Sequence, residues 1–208
     1  MNMNLSTVQI AGAITNFGNA AVLLLLSALI AAWLQWSSGR RASLLWCGAV
    51  LLCTGMTAVL KTYFAACPVS SWQMLSPSGH SSFSTLVYGG AALSLAAGPD
   101  RRRWQRLLLL GLALAWALAI SWSRVAIHAH SGPEVMLGLL IGGASLLVYG
   151  VLDTTDSRRR FPPLLGVGLA MLMLFLVSQE RGFNLESLFQ NLAHWINQRT
   201  PLCPSVQP

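Results

Sequence analysis

The chain has 208 residues, of which 54% are hydrophobic and only 9% are charged, and its formal net charge at pH 7 is +7. A soluble domain typically carries about 25% charged residues, so this composition excludes an ordinary soluble globular protein. An integral membrane protein is expected instead. At about 20 apolar residues per membrane-crossing helix, the chain has room for about six or seven spans and none for a separate soluble domain.

Six apolar runs predict six membrane-spanning helices and an all-α fold. They cover residues 15–36, 42–60, 81–97, 107–122, 135–152 and 162–177. Residues 184–198 differ, because apolar residues recur there at helical spacing among polar ones, which predicts an amphipathic helix on the membrane surface. The chain is thus expected to comprise a six-helix transmembrane domain, residues 1–183, and an interfacial helix with a tail, residues 184–208.

The basic residues predict the orientation of these helices. Nine of the thirteen Lys and Arg residues fall in three clusters, which follow the first, third and fifth predicted spans: Arg40, Arg41, Arg101, Arg102, Arg103, Arg106, Arg158, Arg159 and Arg160. Because Lys and Arg near helix ends are retained in the cytoplasm, the termini and the connections after the second and fourth spans are expected on the opposite side, the periplasm of a bacterial inner membrane. The clusters indicate topology, so nucleic acid is not an expected partner.

Two further expectations concern the first span and the cysteines. No basic residue precedes Arg40, so the first span is expected to be retained and not cleaved as a signal peptide. Cys67 and Cys203 both fall on the predicted outer, oxidising side, and a disulfide between them is a hypothesis. Cys47 and Cys53 lie inside the second span and are expected to be core residues.

Polar residues at the outer helix ends have the character of a phosphate site. In Ser76-Pro77-Ser78-Gly79-His80, Ser76 is expected to cap the third span and Pro77 to occupy its first position, with the N–H groups of residues 78–80 facing outward. Such a helix start binds anions. Two cations would complete the pocket, and the expected phosphate-binding residues are Lys61, Ser78, Gly79 and Arg124.

Two histidines with different neighbours supply chemistry for phosphoryl transfer. Glu134 follows His130 by four residues and falls in the first turn of the fifth span. Its carboxylate can hold one imidazole nitrogen of His130 as a donor, which leaves the other nitrogen nucleophilic. His80, which belongs to a different helix, could protonate the departing oxygen. The pattern fits a two-step transfer through a phosphohistidine.

These residues resemble the motifs of the type 2 phosphatidic acid phosphatases, membrane relatives of the vanadium haloperoxidases. Residues 77–80 match the family's Pro-Ser-Gly-His motif. Ser123-Arg124, His130 and Glu134 match the family's third motif of Ser-Arg, five residues, His, three residues and an acid, which is more often Asp in the family. The resemblance covers residues 61–143.

The family's first motif is altered in this chain. Lys61 is followed by Cys67-Pro68 where the family has Arg-Pro, and the interval is one residue shorter. One phosphate-binding arginine is therefore missing. Slower turnover, an altered substrate and compensation by another residue such as His128 are the alternatives that this departure leaves open.

The resemblance implies a membrane lipid phosphatase that acts on a phosphomonoester or pyrophosphate at the periplasmic face, without a metal or cofactor. It implies His130 as nucleophile, Glu134 as its orienting partner and His80 as general acid. Undecaprenyl pyrophosphate, phosphatidylglycerophosphate, phosphatidic acid and lipid A phosphates are candidate substrates. The alternatives are a lipid phosphotransferase and a catalytically degenerate protein that binds lipid phosphate. The amphipathic helix is either a lid or an anchor, and no pattern indicates the oligomeric state.

Overall fold

The computed structural model describes residues 5–67, 76–98 and 102–153, and every regular element in these ranges is an α-helix, in agreement with the predicted all-α class. The sixth predicted span, the boundary at residue 183 and the amphipathic helix at residues 184–198 lie outside the described residues. The helices in chain order are α1 (Leu5–Asn16), α2 (Ala20–Ser37), α3 (Arg40–Ala66), α4 (Gly79–Ala96), α5 (Arg103–Ala126) and α6 (Gly132–Leu152).

Four segments of the described chain are long and apolar enough to cross a membrane, which agrees with the membrane protein predicted from composition. They are Leu5–Ser37, which contains α1 and α2, then Arg40–Ala65, Arg103–Ala126 and Gly132–Leu152. Helix α4 coincides with the third predicted span but is not among them. In the described part of the chain, therefore, four of the predicted spans meet these criteria.

Helix α4 lies at the centre of the bundle. It packs against α2, α3, α5 and α6. A helix that other helices cover needs small side chains for close approach more than it needs an apolar surface towards lipid, which explains why α4 falls short of the apolarity of a lipid-facing span. The buried serines of this helix are Ser81, Ser82, Ser84 and Ser94.

The amino-terminal region contains two helices where one was predicted. The first span was expected to begin at residue 15, whereas the structure has α1 before it and a turn at residues 17–19. Asn19 caps α2, since its side chain accepts a hydrogen bond from the N–H of Ala21 at 2.9 Å. An asparagine cap starts a new helix at this point, and the twelve residues of α1 are too short to be recognised as a span on their own.

Two glycines of α6 allow it to lie against the backbone of α4. A Cβ added at Gly138 would lie 2.5 Å from the carbonyl oxygen of Ser78, and one at Gly142 would collide with the carbonyl oxygen of Ser82. Glycines four residues apart share one face of a helix, and this spacing favours close packing in membranes. The contact brings the start of α6 next to the start of α4.

A second cluster of contacts holds four helices together towards the other end of α4. Trp46 of α3 is fully buried and donates its indole N–H to the carbonyl oxygen of Ser27 at 3.0 Å. Its ring packs edge-on against Tyr149 of α6, with 5.3 Å between centroids, and lies over Gly90 of α4, where a Cβ would collide with it. The hydroxyl groups of Tyr149 and Ser94 are 3.0 Å apart.

The direction of the helices separates the polar motifs from the basic clusters. Helix α3 begins at Arg40 and carries Lys61 in its last two turns, and α5 begins at Arg103 and carries Arg124 in its last turn. Helix α3 extends beyond its predicted end at residue 60, because no helix breaker precedes Pro68. The motif residues thus gather at the end of the bundle opposite the arginines that begin α3 and α5.

Candidate active site

The start of α4 is capped by Ser78. Its Oγ accepts a hydrogen bond from the N–H of Ser81 at 3.4 Å, and its own N–H donates to the carbonyl oxygen of Glu134 at 3.0 Å. The expectation that Ser76 caps the helix and Pro77 begins it is therefore wrong, because Ser78 directly precedes the first helical residue and reaches the third N–H of the helix. The expectation that the N–H of Ser78 faces outward is also wrong, because this N–H donates to the carbonyl oxygen of Glu134.

The first turn of α4 nevertheless has anion-binding character. Gly79 and His80 are its first two residues, and N–H groups at these positions have no intrahelical carbonyl to donate to. A Cβ added at Gly79 would lie 3.7 Å from Cε of Lys61, so the lysine side chain reaches this turn from α3. Lys61 is only 5% exposed, which distinguishes it from a lysine that extends to the membrane surface.

Arg124, in the last turn of α5, holds the third motif together through its backbone carbonyl group. Its carbonyl oxygen accepts hydrogen bonds from the N–H groups of Ala129 at 3.0 Å and His130 at 3.2 Å. The loop after α5 therefore folds back onto the end of its own helix. Of the five residues between Arg124 and His130, the first two complete α5 and the other three form this reversal, which gives the motif spacing a physical cause.

His128 makes that reversal of the chain. Among the described residues other than glycine, it has the one positive φ angle, 56°. Histidine adopts the left-handed conformation more readily than most residues, and a left-handed residue just after a helix commonly ends it. Its side chain is exposed. The structure thus gives His128 a backbone role at the end of α5.

Glu134 is the buried centre of the hydrogen bonds around His130. Its Oε2 lies 2.9 Å from Nδ1 of His130 and accepts the N–H of Ser131 at 3.0 Å, while its Oε1 accepts the N–H of Ser76 at 2.8 Å. With Ser131 it forms a capping box, in which the acid at the third helical position reaches back to the N–H of the cap residue. A glutamate side chain has the reach for this contact, and the capping box favours Glu or Gln at this position.

The ionisation of His130 follows from these contacts. Burial lowers the pKa of His130 below its ordinary value, and the charges of Lys61 and Arg124 act in the same direction, while Glu134 opposes them. The imidazole is therefore neutral at pH 7. With its Nδ1 proton directed at Glu134, the lone pair is on Nε2, as a nucleophilic histidine requires.

His80 also lies within the influence of the same cations. Burial is the largest cause that lowers the pKa of His80 to about 3, followed by repulsion from Arg124, from the imidazole of His130 when it is protonated, and from Lys61. With only these protein groups around it, His80 is neutral at pH 7. A bound phosphate dianion would cancel the positive charges and raise this pKa, so its predicted role as general acid depends on the substrate.

The structure also brings residues into the site region that the motifs did not reveal. Nη1 of Arg124 donates to Oγ1 of Thr15 in α1 at 3.1 Å. A Cβ added at Gly18, in the turn after α1, would lie 2.9 Å from Cδ2 of His80. The polar Thr15 inside an apolar run and the Gly18-Asn19 turn signal were visible in the sequence, but nothing local indicates which helix they contact.

Cys67 ends α3 as its C-cap residue. Its proposed partner Cys203 lies outside the described residues, so the disulfide between them stays a prediction. Pro68, the other residue of the altered first motif, is also outside the described part of the chain.

Comparison with known families identifies the PAP2 superfamily, whose family model matches residues 44–158. The match covers more than half of the chain and includes α3 from residue 44 as well as α4, α5 and α6. It confirms the resemblance found in the two motifs. Comparison with curated proteins and with solved structures gives no match.

Proposed function

Because this chain belongs to the PAP2 superfamily, we propose that it is a membrane phosphatase that hydrolyses a lipid phosphomonoester or pyrophosphate through a phosphohistidine on His130. The superfamily supports phosphoester hydrolysis in general. The observation that carries the finer proposal is the 2.9 Å contact between Nδ1 of His130 and the buried carboxylate of Glu134, in a site that Lys61 and Arg124 make positive. This contact supports His130 as a neutral nucleophile that Glu134 orients beside a phosphate pocket.

In the first step, Nε2 of His130 attacks the phosphorus atom and a P–N bond replaces the P–O bond to the lipid. Lys61, Arg124 and the first-turn N–H groups of Gly79 and His80 hold the phosphoryl oxygens, where their charges and dipoles stabilise the transition state. His80, protonated in the presence of the phosphate, gives its proton to the departing lipid oxygen. Glu134 stabilises the positive charge that develops on His130.

In the second step, water attacks the phosphorus atom of the phosphohistidine. Neutral His80 takes a proton from the water as the P–O bond forms and the P–N bond breaks, which returns His130 to its starting state. Inorganic phosphate is the second product. Every step uses side chains of this chain, and we propose that no metal or cofactor takes part.

A lipid substrate on the periplasmic side is supported by the place of the site in the bundle. The site lies where α3 and α5 end, in a bundle whose described residues include four membrane-spanning candidates, so a head group can reach His130 while its acyl or prenyl tails stay in the bilayer. Arginines begin α3 and α5 at the other end, and the retention of such clusters in the cytoplasm supports a periplasmic site. Undecaprenyl pyrophosphate, phosphatidylglycerophosphate, phosphatidic acid and lipid A phosphates are the substrates to be compared.

The test is phosphate release by the detergent-purified protein from a panel of these lipids, in the presence of a chelator and beside His130→Ala. We expect release from at least one lipid and a loss of at least about 1,000-fold in kcat for the variant, because removal of a nucleophile abolishes the covalent route. His128→Asn is the matched control. It alters an exposed histidine of the same loop and keeps a residue that tolerates positive φ.

The outcomes separate the alternatives. Phosphate release that needs an added lipid acceptor would favour a phosphotransferase. Lipid phosphate binding without turnover in the folded protein would favour a degenerate binding protein and contradict the proposed function. Loss of activity in His128→Asn would favour compensation for the altered first motif by this histidine.

A further inference from the structure

Helix α1 makes a polar contact with the phosphate site from outside the family match. Thr15 is 8% exposed, and its Oγ1 accepts a hydrogen bond from Nη1 of Arg124 at 3.1 Å. The two residues are 109 positions apart in the chain. Residue 15 precedes the matched region, which begins at residue 44, so the motifs of the family do not include this contact.

The turn that follows Thr15 is held firmly against α4 and α5. The hydroxyl of Tyr88 in α4 donates to the carbonyl oxygen of Phe17 at 2.9 Å. The ring of Phe17 packs edge-on against Trp116 of α5, with centroids 5.2 Å apart. A Cβ added at Gly18 would lie 2.7 Å from Ile120 and 2.9 Å from His80. These contacts give Thr15 a defined position relative to Arg124.

We propose that Thr15 is a positioning residue for Arg124, and that its hydroxyl holds the guanidinium in the orientation that binds the phosphate of the substrate. The inference rests on the proposed function. Arginine loses considerable side-chain entropy when it is held in one geometry for two-pronged phosphate binding. An acceptor that already fixes one guanidinium N–H reduces the entropy still to be lost when substrate binds. In this chain the acceptor comes from α1.

The test compares Thr15→Val, which keeps the shape and removes the hydroxyl, with Thr15→Ser, which keeps the hydroxyl. Thr54→Val is the matched control, because the Thr54 hydroxyl donates within its own helix to the carbonyl oxygen of Val50 at 2.7 Å. The measurements are kcat and KM for phosphate release and the Kd of inorganic phosphate. Thermal unfolding of each variant reports on folding.

We expect Thr15→Val to raise KM and the Kd of phosphate about tenfold, as for a lost hydrogen bond to a charged group, with a smaller change in kcat. Thr15→Ser should stay within about twofold of the natural protein, since hydroxyl and charge are both retained. In the background of Arg124→Lys, the effect of Thr15→Val should shrink, because the interaction it removes is already altered. This double-mutant cycle also distinguishes the loss of the Thr15–Arg124 hydrogen bond from a general loss of stability.

Four results would overturn the inference, and the last of them would also contradict the proposed function. If Thr15→Val has the same KM and the same Kd of phosphate as Thr54→Val while phosphate release is intact, the inference is wrong and the proposed function stands. If Thr15→Val behaves as the natural protein and Thr15→Ser is impaired, Thr15 acts by packing alone. If Thr15→Val does not fold, equal phosphate affinity in Thr15→Ala and the natural protein contradicts the inference. A natural protein that neither binds nor releases phosphate contradicts both proposals.

Discussion

At the scale of single residues, Glu134 connects three parts of the site. Its two carboxylate oxygens accept from His130, from the cap residue of α6 and from Ser76, which precedes α4. The motif spacing predicts the pairing with His130, because residues four apart are neighbours at a helix start. It does not predict the contact with Ser76, which is 58 positions away. One side chain thus holds the imidazole of His130 and fixes the loop that leads into the first turn of α4.

The lowered pKa values of the two histidines predict the pH dependence of the reaction. The pKa of His80 is lowered to about 3, so His80 carries no proton before the substrate binds. The proton for the leaving oxygen therefore enters with the substrate. A phosphomonoester carries this proton as its monoanion, and its second pKa is about 6. We expect kcat/KM to fall about tenfold per pH unit above roughly pH 7. His130, with a pKa below 6.5, stays a neutral nucleophile at pH 6.5.

Initial rates at low concentration of a phosphomonoester lipid, measured between about pH 5 and pH 9, test this expectation. A kcat/KM that rises through pH 7 would contradict it, because the rise would mean that a protonated group must lose its proton before the reaction. The unfolding midpoint at each pH controls for instability. Acid should destabilise the fold below pH 6.5, where the histidines of the unfolded chain take up protons and those of the folded chain do not.

At the scale of helices, the contact between α4 and α6 determines how the two halves of the site meet. Gly138 and Gly142 let the backbones approach, and the N–H of Ser78 donates across this contact to Glu134. The first turn of α4 and the loop that carries His130 therefore depend on the same interface. A change that separates the helices is expected to impair both stability and catalysis.

We predict that Gly142→Ala lowers stability by roughly 1–3 kcal/mol, because the added Cβ collides with the carbonyl oxygen of Ser82 and forces backbone to move. Activity should fall as well. The neighbouring Gly143→Ala is the matched control, since a Cβ at Gly143 meets nothing within 4 Å. That change should be neutral or stabilise by up to about 1 kcal/mol, as alanine forms helix more readily than glycine.

Thermal unfolding in detergent and phosphate release measure the two effects of these glycine substitutions. Equal unfolding midpoints for the two variants would show that α6 can move away from α4 without cost. The close approach of the two backbones would then have no bearing on the stability of the site.

At the scale of the whole molecule, the site and the basic clusters lie at opposite ends of the same helices. Helices α3 and α5 each begin with arginine and end beside the site. A membrane around the bundle would therefore separate the two ends. The fold does not determine which side of the membrane the site faces. The retention of basic residues in the cytoplasm predicts that orientation.

We predict that a membrane-impermeant thiol reagent labels Ala129→Cys in intact cells but labels Ser38→Cys only after the membrane is permeabilised. Ala129 is exposed in the loop that carries His130, and Ser38 lies between α2 and the arginines of α3. Each cysteine is introduced into a parent chain in which the exposed natural Cys47 is replaced by serine. Only labelling above that of this parent is counted, because Cys67 and Cys203 are expected on the outer side. The reverse pattern would place the site in the cytoplasm and contradict the proposed periplasmic substrate.

The sequence by itself determined the class of the protein, the all-α architecture and the residues of the two matched motifs. These properties are local, because composition selects the membrane, apolar runs select helices, and the segment between Arg124 and His130 has the length that its own hydrogen bonds require. Helix ends were also locally encoded. Either Ser76 or Ser78 could have capped α4, and the prediction of Ser76 was wrong, since the cap is Ser78.

Only the tertiary structure decided that α4 is the central helix, that α1 is a separate element, and that Thr15 and Gly18 reach Arg124 and His80. An apolar run indicates that a helix lies in apolar surroundings. It does not distinguish contact with lipid from contact with other helices, because both are equally apolar. Which neighbour covers which face depends on how all the helices pack at once. The contacts that complete the site join residues far apart in the chain, and no local pattern specifies them.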